Sequence, residues 1–466
     1  MSFSSILFFL FFFPLVLISF SIVTHPFKKI ILLLFSIFFY AWGAPQFLFI
    51  MFILSVVQFF IAKKIETQTN TYRKKILLLV SITLSCALLI YFKYTAFLFQ
   101  NFGIIFDFKV DRNTLVDQLI LPIGISFYTF ESISYAIDVF RNDESGFKKI
   151  QDYLFYIFFF PKLICGPIIR FKDIASQIRN NKGTTMDNIN RGLTRFILGL
   201  SKKVIIADTL GKYVQEFELL PSESLSSASA WLFLLAYTFQ IYFDFSGYSD
   251  MAIGLSKTLG FTIYENFNKP YQSQSVNEFW KKWHISLGKW MKDYLYIPLG
   301  GNRLSNDKRT YLNLFIVFFI SGLWHGASWN FILWGIYHAI WIILERLILR
   351  SQWWTRINWI NIIITFILVT FGWIFFIFPD LNHIIAFIKL LFSFIPEADI
   401  TIINRELITF LLIASFLTFF THWKILINRN AATFQIIKVT LLCLLMCLNI
   451  AYITSQDFHP FIYFRF

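Results

Sequence analysis

Long apolar runs separated by short charged segments are the main pattern of this sequence. The first run, Ser4 to Val23, is long enough to cross a bilayer, and it lacks the basic start and the small-residue cleavage motif of a signal peptide. We therefore expect it to be a retained transmembrane helix. Three further spans are predicted at about residues 29–43, 46–62 and 76–92.

The charges between the runs indicate how these spans are oriented. Residues 63–75 carry five positive charges and one negative charge, which is typical of a cytoplasmic loop. Counting back from this loop places the N-terminus outside the cell. The short loop with Lys28 and Lys29 then falls inside, as the positive-inside rule requires.

Apolar runs continue to the end of the chain. They lie at about residues 118–140, 231–245, 311–320, 329–344, 358–378, 383–396, 407–420 and 434–454. The pattern predicts an all-α polytopic membrane protein with about 11–13 transmembrane helices. We expect a single membrane domain over residues 1–466, with N-terminal helices in 1–117, a core in 118–345 and C-terminal helices in 346–466.

Two segments contain residues that interrupt a simple membrane helix. Glu131 lies near the middle of the run 118–140, where an unpaired carboxylate is costly, so it is a candidate for function or the structural partner of an Arg or a His. Residues 155–169 contain Pro161, Lys162 and a Gly-Pro pair. We expect a broken or re-entrant element there.

The segment Asn277–Arg303 has the strongest amphipathic pattern. On a helix at 100° per residue, its aromatic and aliphatic side chains fall in one half of the wheel and its lysines in the other. This predicts one helix over about residues 279–295 that lies in the membrane interface and ends before Pro298. His284 falls on the edge of the apolar half, so we expect it to face protein or lipid.

A second histidine lies between two apolar runs. His325 is flanked by Gly322 and Gly326, which would allow a backbone or a substrate to approach the imidazole closely. A histidine in a membrane span normally faces a cavity or a polar partner. From spacing alone, it is either a helix-packing residue or a general base, and an unperturbed pKa of about 6.5 suits the second role.

Composition supports the membrane class and limits the partners. The sequence is 57% hydrophobic, with 61 Phe and a mean hydropathy of +0.63, which excludes a soluble globular protein. The net charge of +14 lies in short loops, so positive-inside topology and anionic lipid explain it better than nucleic acid does. The four cysteines have no zinc-like spacing, and we predict no metal.

Four stretches in the second half of the chain combine polar, aromatic and glycine residues: YFDFSGYSDMAIGLSKTLGF (242–261), ENFNKPY (265–271), FWKKWHISLGKWMKDYLYIPLGGNR (279–303) and GLWHGASW (322–329). These stretches resemble the membrane-bound O-acyltransferases, specifically the branch of alginate and peptidoglycan O-acetylation. The resemblance covers most of the chain beyond residue 120. It implies interfacial and re-entrant helices around a central channel. It also implies that His325 is the essential catalytic histidine and that His284 is the second histidine of the same site.

The resemblance also implies an activity and its partners. The expected reaction moves an acyl group, such as acetyl, from a cytoplasmic thioester to hydroxyls of an exported polysaccharide, directly or through an extracytoplasmic acetyltransferase partner, in the bacterial cytoplasmic membrane. We expect acetyl-coenzyme A or another thioester as the donor, without a tightly bound cofactor; its binding residues are not identified. In this hypothesis His325 is the base, and His284 orients the thioester carbonyl or the acceptor. The alternative is a non-catalytic transporter or scaffold that serves a separate transferase.

Overall fold

The computed structural model describes residues 2–106, 120–180, 183–220, 225–302, 307–349, 358–393, 404–420, 432–455 and 461–462. Every regular element in these ranges is helical. The chain divides into two compact units, one of residues 1–193 and 252–264 and the other of residues 194–251 and 265–466. The expected division at residues 117 and 345 stays a prediction.

The first unit contains the N-terminal helices. They are α1 (Phe13–Ile22), α2 (His25–Gly43), α3 (Pro45–Thr67), α4 (Thr71–Leu89), α5 (Thr95–Phe106), α6 (Ile125–Arg141), α7 (Ile150–Phe158), α8 (Phe160–Leu163), α9 (Phe171–Asn180) and the start of α10 (Met186–Ser201). A π-helical turn, Phe8–Phe12, precedes α1, and another, Ile90–Tyr94, joins α4 to α5. Helices α2 to α4 follow the predicted spans closely.

Glu131 has a structural partner in the first unit. Its carboxylate forms a buried ion pair with Lys162, on the short helix α8. The ring of Tyr156 lies 4.9 Å from the Lys162 ammonium. The structural alternative is therefore supported, although the partner is a lysine and not the expected Arg or His. Residues 155–169 are broken into α7, α8 and a turn, as their prolines and glycine predict.

The second unit contains the rest of α10 and the helices that follow. They are α11 (Asp208–Glu218), α12 (Ser227–Thr258, whose last residues belong to the first unit), α13 (Val276–Lys282), α14 (Ile285–Met291), α15 (Asp307–His325), α16 (Trp329–Leu349), α17 (Asn358–Ile377), α18 (Leu381–Leu391), α19 (Arg405–Phe419) and α20 (Ala432–Ser455). π-Helical turns at Lys202–Ala207 and Lys292–Tyr296 follow α10 and α14, and a 3₁₀ turn lies at Pro270–Gln272.

Charged side chains hold α12 in the second unit. Asp250 accepts hydrogen bonds from Arg195 at 2.7 Å and from Lys202 at 2.7 Å. Asp244 pairs at 2.8 Å with Lys203, which is 4% exposed. Gly199 on α10 and Gly247 on α12 allow the backbones of these two helices to approach, since a Cβ on either glycine would lie 2.7 Å from the carbonyl oxygen of the other. The acidic residues of the 242–250 motif thus fix neighbouring helices.

The prediction of one helix over residues 279–295 is wrong. The chain forms α13 and α14 with a break between them, where His284 has a left-handed backbone with φ of 45°. The physical reason is a tertiary contact, because the amide of Ile285 donates to the carbonyl of Asn266 at 2.9 Å and so leaves the helical pattern. The aromatic face packs inside protein, with Phe279 and Trp283 at 0% and 1% exposed.

The structure confirms an all-α polytopic membrane protein. Five described helices are long and apolar enough to cross a bilayer: Pro45–Thr67, Thr71–Gly103, Trp329–Ile348, Asn358–Ile377 and Gln435–Ser455. Phe8–Ile22 and Leu381–Leu391 are shorter apolar helices. The other described helices are too short or too polar to be assigned as spans by length and composition, so the total of 11–13 crossings and the central channel stay predictions.

Candidate active site

A tight helical hairpin positions His325 at the last residue of α15. A Cβ on Gly322 would clash with the carbonyl oxygen of Phe331, and it would lie 3.4 Å from the Cα of Gly335 on α16. A side chain on Gly326 would clash with the Phe331 ring. Gly322 thus permits the close approach of a backbone, as one of the two sequence-based alternatives predicts, and Gly326 makes room for the Phe331 side chain.

Aromatic rings surround the imidazole of His325. Its ring centroid lies 4.9 Å from those of Trp324 and Trp334 and 5.2 Å from that of Phe376, each at a steep angle. His325 is 5% exposed, and the three aromatic residues are 5% exposed or less. The structure therefore places the predicted base in a water-poor aromatic pocket that fixes the plane of its ring.

Hydrogen bonds, in contrast, position His284. Its Nδ1 lies 3.2 Å from Oδ1 of Asn266, which is fully buried. The same Oδ1 accepts from the amide of Ser286 at 3.2 Å and from its hydroxyl at 2.8 Å. The Nδ2 of Asn266 donates to Ser249 on α12 at 3.1 Å. The turn between α13 and α14 is thus joined to α12 through one amide side chain.

Burial affects the ionisation of His284. The side chain is 2% exposed, and loss of hydration lowers the pKa of its imidazole to about 3. At neutral pH the ring is therefore uncharged. Its Nε2 is buried and has no hydrogen-bond partner among the described residues.

The two predicted histidines contact the same indole. The ring of His284 lies 6.0 Å from that of Trp324, and the ring of His325 lies 4.9 Å from it on the neighbouring residue. Phe245 of α12 packs edge-on against His284 at 4.7 Å. The structure thus brings both histidine motifs to one place in the second unit, although they are 41 residues apart in sequence.

A third histidine beside this site was missed in the sequence. His338 on α16 is 1% exposed, and neither ring nitrogen has a hydrogen-bond partner in the described parts of the chain. Its ring lies 5.1 Å from Trp334, which also contacts His325, and 4.9 Å from Trp280. The signal was present, because an ionisable residue inside a membrane span is a functional candidate even without a motif.

A cavity of about 390 Å³ adjoins the aromatic pocket. Phe376 is shared between them, since it lines the cavity and contacts the imidazole of His325. Polar side chains of Glu218, Tyr237, Ser328 and Asn330 contribute to the wall. The ends of α11 and α17 meet the start of α16 at this cavity. It is large enough for part of a polar ligand.

Metal chemistry has no support from the described residues. No group of three His, Cys, Asp or Glu side chains lies close enough together there to hold a metal ion. The geometry likewise does not distinguish the residues that would bind a thioester donor. The absence of a metal and of a tightly bound cofactor therefore stays a prediction.

Apolar helices long enough to cross a bilayer define a multi-pass membrane protein. Two buried histidines that contact one indole, with a partly polar cavity next to the pocket of His325, define a histidine-based site. Comparison of the sequence with known families agrees with this class. The membrane-bound O-acyltransferase family model matches residues 34–382, and the chain belongs to that family. The protein is therefore an O-acyltransferase, and the resemblance identified in the motifs is confirmed.

Curated relatives show which branch the chain is similar to. It is 37% identical to the probable alginate O-acetylase AlgI of Pseudomonas putida, with 100% of both chains covered. It is 37% identical to the peptidoglycan O-acetyltransferase of Helicobacter pylori over 78% of this chain and 73% of the relative. Similarity to the teichoic acid D-alanyltransferase of Bacillus subtilis is lower, at 27% over 57% of this chain and 71% of that relative.

Proposed function

We propose that this protein moves an acetyl group from a cytoplasmic thioester across the bacterial cytoplasmic membrane to hydroxyls of an exported polysaccharide, directly or through an extracytoplasmic partner. The observation that carries the proposal is the position of His325, buried at the end of α15 next to a partly polar cavity. The similarity to an alginate O-acetylase over both whole chains, and to a peptidoglycan O-acetyltransferase, supports the acyl group and the acceptor class.

The charge distribution along α15 supports a site near the outer face. The helix starts with Asp307, Lys308 and Arg309, and a basic helix end favours the cytoplasmic side. His325 is the last residue of the same helix, about 27 Å away at 1.5 Å per residue. With the basic start on the cytoplasmic side, His325 and the adjoining cavity would lie on the side where an exported acceptor arrives, and the cytoplasmic thioester would reach them through the channel that the resemblance implies.

In the proposed reaction, His325 accepts the proton of the acceptor hydroxyl while that oxygen attacks the thioester carbonyl. The new C–O bond forms, the C–S bond breaks, and the thiolate takes the proton from the imidazolium as it leaves. Water would compete as an acceptor, and the aromatic rings around His325 reduce its access. Acetyl-coenzyme A or an acyl carrier supplies the thioester, and no tightly bound cofactor takes part.

We further propose an extracytoplasmic partner. The partly polar cavity has a volume of about 390 Å³, so it fits one residue or one sugar better than an extended polymer. An acyl group delivered there would be passed to the polysaccharide by a second acetyltransferase. The alternative, a transporter or scaffold that carries out no chemistry, predicts that His325 can be replaced without loss of transfer.

Ester-linked acetate on the surface polysaccharide and peptidoglycan fractions tests this function. Cells with the wild-type protein, the His325→Ala variant, the His383→Ala variant and a deletion are compared at equal membrane protein levels. His383 is a suitable control because it is an exposed histidine on α18. We expect acetate to disappear from one fraction in His325→Ala and in the deletion, and to persist in His383→Ala.

The purified protein separates catalysis from transport. Labelled acetyl-coenzyme A and a soluble hydroxyl acceptor should give labelled ester with the wild type and none with His325→Ala. If acetate is lost only in the deletion, and His325→Ala retains full acetylation, the histidine is structural and the transporter alternative is correct. If acetylation in cells requires a second gene product, that product is the partner.

A further inference from the structure

We infer that Asn266 is a positioning residue that holds His284 with its proton on Nδ1, so that Nε2 accepts a hydrogen bond from the substrate and cannot donate one to the thioester carbonyl. The inference deepens the proposed function, because it assigns a direction to the hydrogen bond that the second histidine makes. Of the two roles expected for His284, it excludes a hydrogen bond to the thioester carbonyl and retains orientation of the acceptor.

The orientation of the Asn266 amide is fixed by a backbone group. The amide of Ser286 lies 3.2 Å from Oδ1 of Asn266, and a backbone N–H can only donate. A flipped side chain would place the Nδ2 donors against this N–H. The other end of the amide agrees, since Nδ2 lies 3.1 Å from the hydroxyl oxygen of Ser249, which can accept. The atom that faces His284 is therefore an oxygen.

The proton on His284 follows from this oxygen. Nδ1 lies 3.2 Å from Oδ1, and a carbonyl oxygen has no proton to give, so Nδ1 must be the donor. The hydroxyl of Ser286 does not change this, because it donates to the same Oδ1 at 2.8 Å. A neutral imidazole with its proton on Nδ1 has an unprotonated Nε2.

A charged ring would donate from both nitrogens, and burial argues against it. The His284 side chain is 2% exposed, and the loss of hydration that lowers its pKa keeps the ring neutral at physiological pH. The described residues offer its Nε2 no hydrogen bond. Because buried polar atoms are almost always paired, a ligand hydroxyl or amide N–H is the natural partner of this nitrogen.

The environment of the ring makes this partner a substrate group. Phe245 and Trp324 flank His284, and Trp324 also contacts His325. A hydroxyl or a thioester-chain amide held at Nε2 of His284 would therefore lie near the general base. The thioester carbonyl needs a donor and must be stabilised by another group.

The test uses three variants and a spectroscopic measurement. Asn266→Ala removes the acceptor for Nδ1, Asn266→Asp retains an acceptor oxygen, and Ser249→Ala removes only the other bond of Asn266. We expect kcat to fall by about 10- to 100-fold in Asn266→Ala, with a smaller change in KM. Asn266→Asp should recover only part of this loss, because its carboxylate retains the acceptor but also favours a charged imidazole whose Nε2 donates. Ser249→Ala should stay within a few fold of the wild type.

Nitrogen-15 NMR of histidine-labelled protein reads the proton directly. With the His284 signals assigned by their loss in His284→Gln, the wild type should show a protonated Nδ1 and an unprotonated Nε2. Asn266→Ala should show a mixture of the two tautomers. A protonated Nε2 in the wild type, or equal kcat in Asn266→Ala and Ser249→Ala at equal thermal stability, would overturn the inference.

The outcomes distinguish this inference from the proposed function. If the wild type transfers acetate but Nε2 of His284 carries the proton, the acyltransferase assignment stands and the role of Asn266 is wrong. If the wild type transfers no acetate, the proposed reaction fails, and the NMR spectra still decide the tautomer.

Discussion

Replacing Gly322 by Ala tests whether the close approach of α15 and α16 positions His325. The added methyl group would lie 3.1 Å from the carbonyl carbon of Phe331 and nearer still to its oxygen. Both are backbone atoms, so no side chain can rotate away, and an ordinary contact requires the helices to separate by about 1 Å. Overpacking of this kind costs about 1–3 kcal/mol of stability. Because His325 lies one turn further along α15, we expect acetyl transfer to fall by about 100-fold.

Gly288→Ala is the matched control for this substitution. Gly288 lies in α14, and the nearest atom to an added Cβ is the carbonyl oxygen of Trp280 at 3.6 Å, which is ordinary contact. Alanine there should stabilise the protein by about 0.5–1 kcal/mol and leave activity unchanged. Thermal unfolding in detergent and transfer by the purified proteins measure both quantities. Wild-type activity and stability in Gly322→Ala, or an equal loss in Gly288→Ala, would refute the reasoning.

Three further predictions concern buried polar groups. Glu345 accepts the amides of Val276 and Asn277 at 2.5 and 3.0 Å, so Glu345→Ala should leave these two first-turn amides of α13 without an acceptor, while Ser275 still caps the amide of Glu278, and should cost about 1–2 kcal/mol in thermal unfolding; an unchanged melting temperature would contradict this. Lys203→Met should cost about 3–5 kcal/mol because it removes the partner that Asp208 and the buried Asp244 share, and adding Asp244→Asn should recover the part of the loss that comes from Asp244; a destabilisation that the second change does not reduce would exclude the pairing with Asp244 as a cause. His284 has a pKa of about 3 in the folded protein and near 6.5 when unfolded, so its contribution to stability is complete above pH 6.5 and is lost as the pH falls toward 3. Between pH 6 and 4 the wild type should therefore lose up to about 1.4 kcal/mol per pH unit more than His284→Gln, and parallel stability curves would disprove this.

The sequence was sufficient for features that depend on local composition. The apolar runs and loop charges predicted α2 to α4, and the prolines around Pro161 predicted a broken element. The prediction of one helix over residues 279–295 failed because a helical wheel contains no information on distant partners. Asn266, 18 residues before His284, takes the amide of Ile285 out of the helical pattern. The Glu131–Lys162 pair joins residues 31 apart, and a sequence cannot specify which of several basic residues completes it.

The motifs identified both histidines but not the difference between them. His325 is held by aromatic contacts at the end of a close-packed hairpin, and His284 by hydrogen bonds in a left-handed turn. A left-handed conformation costs a residue with a Cβ about 1–2 kcal/mol, and glycine would avoid that cost. The turn nevertheless presents a histidine, and Asn266 stabilises it through both its backbone oxygen and its side chain. Strain retained at a residue whose Nε2 has no partner in the described chain is best explained by a function for that side chain.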